Sequence, residues 1–263
     1  QFLHSTDPRT KRDGDGYIPS DQLYVLSPDG QQIPFKKAKR FTRSEMMVME
    51  MLSTNEWERP FYFAVTIGSD YHLGLDPYLE LTGLAYRITP ERSKNGRPRV
   101  NTEVMYDNML HKFKYGNMNV PDIYIDENTM RMCRTHRMMF LELIEALYNE
   151  GKREKCLEVL NFAEEMLPGY NIPYDYTSAS MAQYFYQLGE MEKGNAIMTK
   201  VAANCAEYLE WGASLDRDNR AAAQSTLGQQ SAILGYVLQT FERYKQMDLF
   251  NQYYDIYAQY ATR

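Results

Sequence analysis

One short connection of the chain gathers side chains that are suited to proton transfer or metal binding: Asp70, His72, Asp76, Tyr78 and Glu80. It follows the most strand-like run of the sequence, and residues that leave the end of a strand often line functional sites. A histidine among carboxylates can act as a general acid or base, or as a metal ligand. The spacing matches no specific metal motif, so a hydrogen-bonded polar loop is the competing interpretation.

A second polar stretch, near the N-terminus, is similar to part of a calcium-binding loop. It contains Asp13, Asp15 and Tyr17 separated by glycines. If Gly16 takes the sixth loop position, Lys11 falls where calcium requires a carboxylate, and the twelfth position holds no glutamate. We therefore expect a turn-rich recognition loop around Asp13, Asp15 and Tyr17 and no calcium site.

The remaining histidines and arginines favour structural roles. His111 and His136 are single histidines on predicted helices. Arg134 and Arg137 are one helical turn apart, so they could form a small anion patch, although a solvated helix face is the simpler interpretation. The chain has no nucleophile-elbow, phosphate-loop or zinc-protease motif. We predict no catalytic residue, no metal and no cofactor in this chain.

Aromatic and sulfur-containing residues point mainly to packing. The final predicted helix carries aromatic residues at helical spacing: Phe250, Tyr253, Tyr254, Tyr257 and Tyr260. They could stack on sugars, but such spacing is more typical of a packed helix face with hydroxyls at its rim. Cys133, Cys156 and Cys205 are widely spaced, so we expect buried thiols and neither disulfides nor a zinc site.

The first half of the chain predicts short strands and helices between loops. The pattern predicts a hairpin from Gln22–Leu26 and Gln31–Phe35, a helix over Thr42–Ser53 capped by Thr42 and Glu45, a strand over Pro60–Ile67 buried on both faces, a strand over Leu81–Ile88, and a helix over Thr102–Phe113. These elements must position the candidate polar loop.

The second half repeats a helical pattern. Gly151 and Gly189 lie 38 residues apart in similar settings, each followed five places later by a small residue, Cys156 or Gly194. A turn glycine, a small close-packing residue and large apolar residues are typical of tetratricopeptide-like helix pairs. A longer, degenerate pair is expected at the end. The predicted fold is α+β, mainly α, with an α/β part at 1–125 and tetratricopeptide-like antiparallel helix pairs at 126–263.

Charge and hydropathy exclude some functions. Lys plus Arg number 29 and Asp plus Glu number 35, for a net charge of −6, which argues against nucleic-acid binding. The longest strongly apolar run, Phe61–Ile67, is far shorter than the ~20 residues that span a bilayer. We therefore expect no lipid insertion by this segment.

The stretch Trp57–Pro90 resembles a known family. The residues that carry the resemblance are Trp57, Arg59, Pro60, Tyr62, Gly74, Tyr78, Gly83, Leu84, Ala85 and Arg87. With the helical second half, they are similar to the C-terminal region of the Bacteroidetes multi-pass membrane proteins that carry the domain of unknown function 2723. That family is related to a vertebrate transmembrane protein O-mannosyltransferase with a tetratricopeptide-like C-terminal region.

The resemblance implies an accessory role. In such proteins the catalytic carboxylate and the lipid-linked donor belong to the membrane region, so no catalytic residue is carried onto this chain. We expect a non-catalytic domain on the periplasmic side of the inner membrane. Its partners would be the membrane-embedded part of the same protein and an acceptor protein or peptide. The alternatives are an autonomous enzyme that uses Asp70, His72 and Asp76, and a repeat adaptor unrelated to glycosylation.

Overall fold

A computed structural model of the chain describes residues 23–38 and 41–260. The chain divides into two compact units, Gln1–Lys112 and Phe113–Arg263. The first unit holds short strands and two helices, and the second holds the long helices. The predicted α+β class with mainly α content is confirmed.

The first unit begins with the predicted hairpin. Strands β1 (Tyr24–Leu26) and β2 (Gln32–Pro34) pair antiparallel, with Val25 opposite Ile33. The turn between them needs Gly30, whose φ of 81° is in the left-handed region that glycine tolerates best. Val25 and Ile33 are buried, so one face of the hairpin contributes to the core of this unit.

Helix α1 (Arg43–Thr54) begins as the sequence predicts. The Thr42 side chain accepts from the Glu45 backbone N–H, and the Glu45 carboxylate accepts from the Thr42 backbone N–H at 2.7 Å. This reciprocal capping box satisfies two backbone donors that a helix start otherwise leaves unpaired. Met49 and Leu52 face the core.

A four-stranded sheet follows, in the spatial order β3-β5-β4-β6. Its strands are β3 (Tyr62–Ala64), β4 (Leu79–Leu81), β5 (Ala85–Ile88) and β6 (Arg99–Val100). All neighbours pair antiparallel except β4 and β6, which are parallel. The connection from β3 to β4 contains 3₁₀ turns at Ser69–Tyr71 and Asp76–Tyr78.

Two strand predictions are wrong in extent. The expected strand Pro60–Ile67 shortens to β3, because the Ala64 carbonyl accepts from the Ile67 N–H at 3.0 Å and turns the chain. Burial on both faces is also wrong, since β3 lies at the sheet edge and Tyr62 is 49% exposed. The expected strand Leu81–Ile88 is two strands joined by a tight turn at Gly83.

The last helix of the first unit is shorter than predicted. Helix α2 (Thr102–Asp107) is capped by the Asn101 side chain, and the chain then continues as a π-helical turn, Asn108–Lys112. The Asn108 Nδ2 donates to the Thr82 carbonyl at 2.7 Å, which ties this turn to the β4–β5 connection.

The second unit is built from helix pairs. The helices are α3 (Glu127–Asn149), α4 (Arg153–Met166), α5 (Tyr176–Gln187), α6 (Met191–Ser214), α7 (Arg217–Arg243) and α8 (Met247–Tyr260). Each short-linked pair packs together, and α5 also packs on α3, as α6 does on α7 and α8. This pattern confirms the predicted helix-pair architecture.

The repeat positions behave as the sequence predicts. Gly151 and Gly189 have φ of 75° and 89°, and each lies in the turn between two paired helices. Cys156 is buried, and a Cβ on Gly194 would lie 3.0 Å from the Tyr186 ring. Because the helices approach this closely, a larger residue at 194 would force them apart.

Arg137 corrects the interpretation of the Arg134–Arg137 pair. Arg134 is exposed, but Arg137 is 1% exposed, so the two do not form a surface anion patch. The Arg137 guanidinium donates to the carbonyls of Leu167, Ile172 and Pro173 at 2.9–3.0 Å. It therefore fixes the connection between α4 and α5.

The charge of Arg137 is partly offset. Its guanidinium lies 3.9 Å from the Asp175 carboxylate and over the Tyr174 ring, 5.5 Å from the centroid. Burial lowers the pKa of Arg137, and the Asp175 carboxylate opposes that shift.

The Glu45 charge gives a pH-dependent prediction. The Lys36 ammonium, 2.6 Å away, and the Thr42 backbone lower the pKa of Glu45 to about 2. Ionised Glu45 therefore stabilises the folded state above its ordinary pKa of 4.5, and this stabilisation disappears as the pH falls towards 2. Glu45→Gln should lower the free energy of unfolding at pH 7 by about 1 kcal/mol. In urea titrations the difference from the unsubstituted chain should vanish near pH 2. Glu58→Gln, on an exposed residue, should show no such trend.

Arg137 gives a second stability prediction. Arg137→Met should lower the free energy of unfolding by roughly 3 kcal/mol, because three buried carbonyls lose their donor. Arg134→Met, one turn away and exposed, should change it by less than about 0.5 kcal/mol. Chemical denaturation followed by circular dichroism measures both. Equal effects of the two substitutions would show that the guanidinium contacts are not what stabilises the α4–α5 connection.

Candidate functional site

The candidate polar loop brings one pair of its residues together. The His72 Nδ1 lies 2.9 Å from the Asp76 Oδ1. His72 directly follows the first 3₁₀ turn of the β3–β4 connection, and Asp76 begins the second. The His72 side chain is only 5% exposed. Its ring stacks on Phe63 at 5.3 Å between centroids and meets Tyr86 edge-on at 5.6 Å.

The second nitrogen of His72 is enclosed. The Nε2 atom is buried and has no hydrogen-bond partner. In a histidine–carboxylate pair that transfers protons, this is the atom that must reach the substrate. Because it faces protein, the arrangement suits a packing role: Asp76 fixes the orientation of the ring, and the ring packs on Phe63 of β3 and Tyr86 of β5, which lie opposite each other.

The other loop residues have separate partners. Asp70 is exposed, and its backbone carbonyl accepts from the Lys36 Nζ at 3.0 Å. Tyr78 is buried, and its carbonyl accepts from the Thr89 N–H at 2.8 Å. Glu80 is buried and pairs with the Arg99 Nε at 3.1 Å. The predicted residues therefore do not form a single cluster: His72 and Asp76 contact each other, and the other three have separate partners.

The metal-ligand and recognition-loop predictions concern different parts of the chain. Within 23–38 and 41–260, no group of three or more His, Cys, Asp or Glu side chains is arranged to hold a metal ion. The predicted recognition loop with Asp13, Asp15 and Tyr17 lies outside the described residues.

The other candidate residues have local contacts. The Nδ1 of His136 lies 2.8 Å from the Met132 carbonyl, and the Nδ1 of His111 lies 3.5 Å from the Asp107 carboxylate. All three cysteines are free and buried, as predicted. Burial raises the pKa of Cys156 to about 11 and that of Cys205 to about 12, which keeps both thiols protonated and unreactive.

The aromatic face of α8 is divided between packing and solvent. Tyr253 is buried and its hydroxyl donates to the Thr199 carbonyl at 3.4 Å. Tyr254 is 46% exposed and stacks on Phe250 with 5.2 Å between centroids. The helix therefore packs through one side of this face, as the spacing predicts.

A groove in the second unit was not predicted from the sequence. It has a volume of about 630 Å³ and is lined by α5, α6, α7 and the segment before α5. Its polar and aromatic lining includes Tyr176, Asn204, Glu207, Tyr208, Gln229 and Gln230. The signal in the sequence was the spacing of Asn204 and Tyr208, which places two polar side chains on one face of α6.

Some polar atoms that line this groove have no hydrogen-bond partner among the described residues and can bind a ligand. The Asn204 Nδ2 donates to the Tyr174 carbonyl at 3.3 Å, and the Gln230 Oε1 accepts from the Cys205 thiol at 3.2 Å. The Asn204 Oδ1 and the Gln230 Nε2 have no partner among the described residues. Tyr176 and Tyr208 are about half exposed. Such a surface can hydrogen-bond a ligand and pack against it at the same time.

The fold defines a mainly α protein in which a small sheet unit precedes a unit of paired helices. Residues 19–105, which include the whole four-stranded sheet, match the family model of the TMEM260-associated domain 2. This match supports a relationship to TMEM260-type membrane proteins. No curated protein and no solved structure matches the chain at a significant level.

Among the helices of the described residues, none combines the length and the apolar character needed to cross a bilayer.

The packing role of His72 leads to a prediction. His72→Ala should lower the free energy of unfolding by about 3 kcal/mol, because it leaves a cavity between Phe63 and Tyr86. Asp70→Ala, on the exposed side chain of the same loop, should change it by less than about 0.5 kcal/mol. Thermal and urea denaturation measure both. A His72→Ala variant as stable as the unsubstituted chain would contradict the packing role.

Proposed function

We propose that this chain is a non-catalytic accessory domain of a membrane-bound, glycosyltransferase-like protein related to TMEM260. The observation that carries the proposal is the match of residues 19–105 to the TMEM260-associated domain 2. In this role the chain stands on the extracytoplasmic side, which is the periplasmic side in a bacterium. It contacts the membrane-embedded part of the same protein, and it binds an acceptor polypeptide that is to be modified, as in protein O-mannosylation.

The geometry of the polar loop supports the non-catalytic part of the proposal. The Nε2 of His72 is buried, so it cannot reach a sugar donor in this conformation. Asp70 is exposed, but no histidine of the described residues pairs with its carboxylate. A donor would therefore be activated elsewhere, in the membrane part of the protein.

The groove of the second unit supports the acceptor-binding part. Side-chain amides such as those of Asn204 and Gln230 can pair with the N–H and C=O of a peptide bond. The half-exposed rings of Tyr176 and Tyr208 supply contact area at low cost in side-chain entropy. A groove between paired helices is also where repeat proteins present their extended binding surfaces.

Two other functions remain as alternatives. An autonomous enzyme would use Asp70, His72 and Asp76, which requires the loop to open. A repeat adaptor unrelated to glycosylation would use the same groove for a different protein. The first alternative predicts glycosyl transfer by the chain on its own, and the second predicts that the chain does not affect glycosyl transfer by the membrane protein.

The proposal predicts a specific kinetic effect in the full-length membrane protein that carries this chain, reconstituted in lipid nanodiscs with a polyprenyl-phosphate-linked mannose donor. The double substitution Asn204→Ala and Gln230→Ala should raise KM for a folded protein acceptor about tenfold, since loss of roughly 1.4 kcal/mol of binding has that effect. Because the groove does not touch the reacting atoms, kcat should stay the same. Gln252→Ala, exposed on α8 outside the groove, should leave KM unchanged.

Contrary outcomes discriminate between the functions. Glycosyl transfer by the chain alone that is lost in Asp70→Ala would favour the autonomous enzyme. An unchanged KM in the groove variant, together with full activity after removal of the whole chain, would favour the unrelated adaptor.

A further inference from the structure

Strand β3 has one row of backbone groups that the sheet does not use. The Val65 N–H donates to Leu84 at 3.2 Å, and the Ile88 N–H donates to Phe61 at 2.9 Å. Bonded and non-bonded pairs alternate along an antiparallel ladder. Phe63, between these two pairs, therefore bonds to β5, while the backbone groups of Tyr62 and Ala64 point away from it.

Those outward groups form a free strand edge. The Ala64 carbonyl accepts from the Ile67 N–H, but the Ala64 N–H and both backbone groups of Tyr62 have no partner among the described residues. Tyr62 and Ala64 are exposed. Unpaired edges of this kind are templates on which a further strand can form.

An apolar groove runs beside this edge. It has a volume of about 550 Å³ and lies between α1 and β3 with the turn that follows; its lining includes Val48, Met51, Phe61, Phe63, Ile67 and Tyr71. Met51 is 49% exposed and Tyr71 63%. A free strand edge next to an apolar groove and a helix is the arrangement by which several peptide-binding domains add an extended peptide to their sheet.

A positively charged side chain, that of Arg87, lies near the β3 edge. Arg87 lies directly opposite Tyr62 in the β3–β5 register, so both side chains emerge on the same face of the sheet. Arg87 is exposed; Glu80 lies opposite it on β4 but pairs with Arg99, and Arg87 itself forms no ion pair among the described residues. An acidic side chain on an incoming strand, next to Tyr62, would complement this charge.

We propose that the β3 edge and the adjacent groove bind an extended polypeptide segment of a partner protein, which adds to the sheet as a fifth strand. The segment pairs with the backbone of Tyr62 and Ala64, buries alternate apolar side chains in the groove and presents an acidic residue to Arg87. This site is in the first unit, so it goes beyond the proposed function and does not depend on the helical groove.

Other occupants fit less well. A second copy would bring its own Tyr62, Phe63 and Ala64 to the edge, and this sequence offers no carboxylate for Arg87. A lipid chain could fill the groove, but it would leave the backbone donors of Tyr62 and Ala64 unpaired.

The test removes an outward donor of the edge, the Ala64 N–H, which takes no part in a sheet bond. Proline is tolerated on edge strands where the N–H faces outward. Ala64→Pro therefore deletes the outward N–H of β3, and Ala64→Ser is the matched control that keeps it. A displayed library of random nonapeptides is selected on the whole chain, and Kd values of the selected peptides are measured by fluorescence anisotropy.

We expect selected peptides with alternating apolar residues and at least one acidic residue. Their Kd should rise at least tenfold in Ala64→Pro and stay within twofold in Ala64→Ser. If Ala64→Pro fails to fold, Met51→Lys, which places a charge in the groove, and Arg87→Glu should each raise the Kd by a similar factor. Arg97→Glu, on an exposed loop, is the control for net charge.

Three results would overturn the proposal. The first is the absence of any enriched peptide. The second is enrichment of peptides whose Kd does not change in the folded edge and groove variants. The third is occupation of the groove by something else, seen as dimerisation in sedimentation equilibrium or as binding to phosphatidylcholine vesicles that Met51→Lys abolishes.

Discussion

The second unit depends on how its buried backbone carbonyls are satisfied at the connection between α4 and α5. Hydrogen-bonded turns at residues 168–172 reverse the chain there, and the carbonyls of Leu167, Ile172 and Pro173 are left for another donor. One guanidinium, that of Arg137, donates to all three. Arginine is suited to this because its donors form a rigid planar fork and its charge persists under burial. The position of α5, and with it the lining of the helical groove, follows from this contact.

In the first unit, too, the hydrogen bonding of backbone groups determines how the elements are held. Its strands are only two to four residues long, so much of the hydrogen bonding falls to turns, caps and side chains. The Asn108 amide satisfies Thr82, Thr89 satisfies Tyr78, and the Thr42–Glu45 box satisfies the start of α1. Within the described residues, the outward groups of β3 have no such partner, apart from the Ala64 carbonyl, which accepts from the Ile67 N–H. An unsatisfied edge on a small sheet is costly unless water or a partner covers it, and the apolar groove beside it favours a partner.

Local patterns were predictable from the sequence, and long-range ones were not. The capping box, the turn glycines Gly151 and Gly189, and the small positions Cys156 and Gly194 depend on neighbours within one or two helical turns. The exposure of Tyr62, by contrast, depends on the position of β3 at the edge of the sheet, which no local pattern records. Arg137 was misinterpreted for the same reason, because its partners lie 30 to 36 residues away. Arg134 and Arg137 are one helical turn apart, which is the spacing of two charges on an exposed helix face, but the fold buries Arg137.

The candidate polar loop shows that residue types suited to catalysis do not by themselves form a catalytic site. Asp70, His72, Asp76 and Glu80 are residue types that occur in catalytic sites, yet His72 and Asp76 pair with each other and Glu80 pairs with Arg99. The His72 ring packs against Phe63 and Tyr86, and its Nε2, the nitrogen that would have to exchange a proton, is buried without a partner in the described residues. Phe63 also stands between the two outward residues of β3. The Phe63 side chain, which stacks on the His72 ring, also lines the apolar groove beside β3.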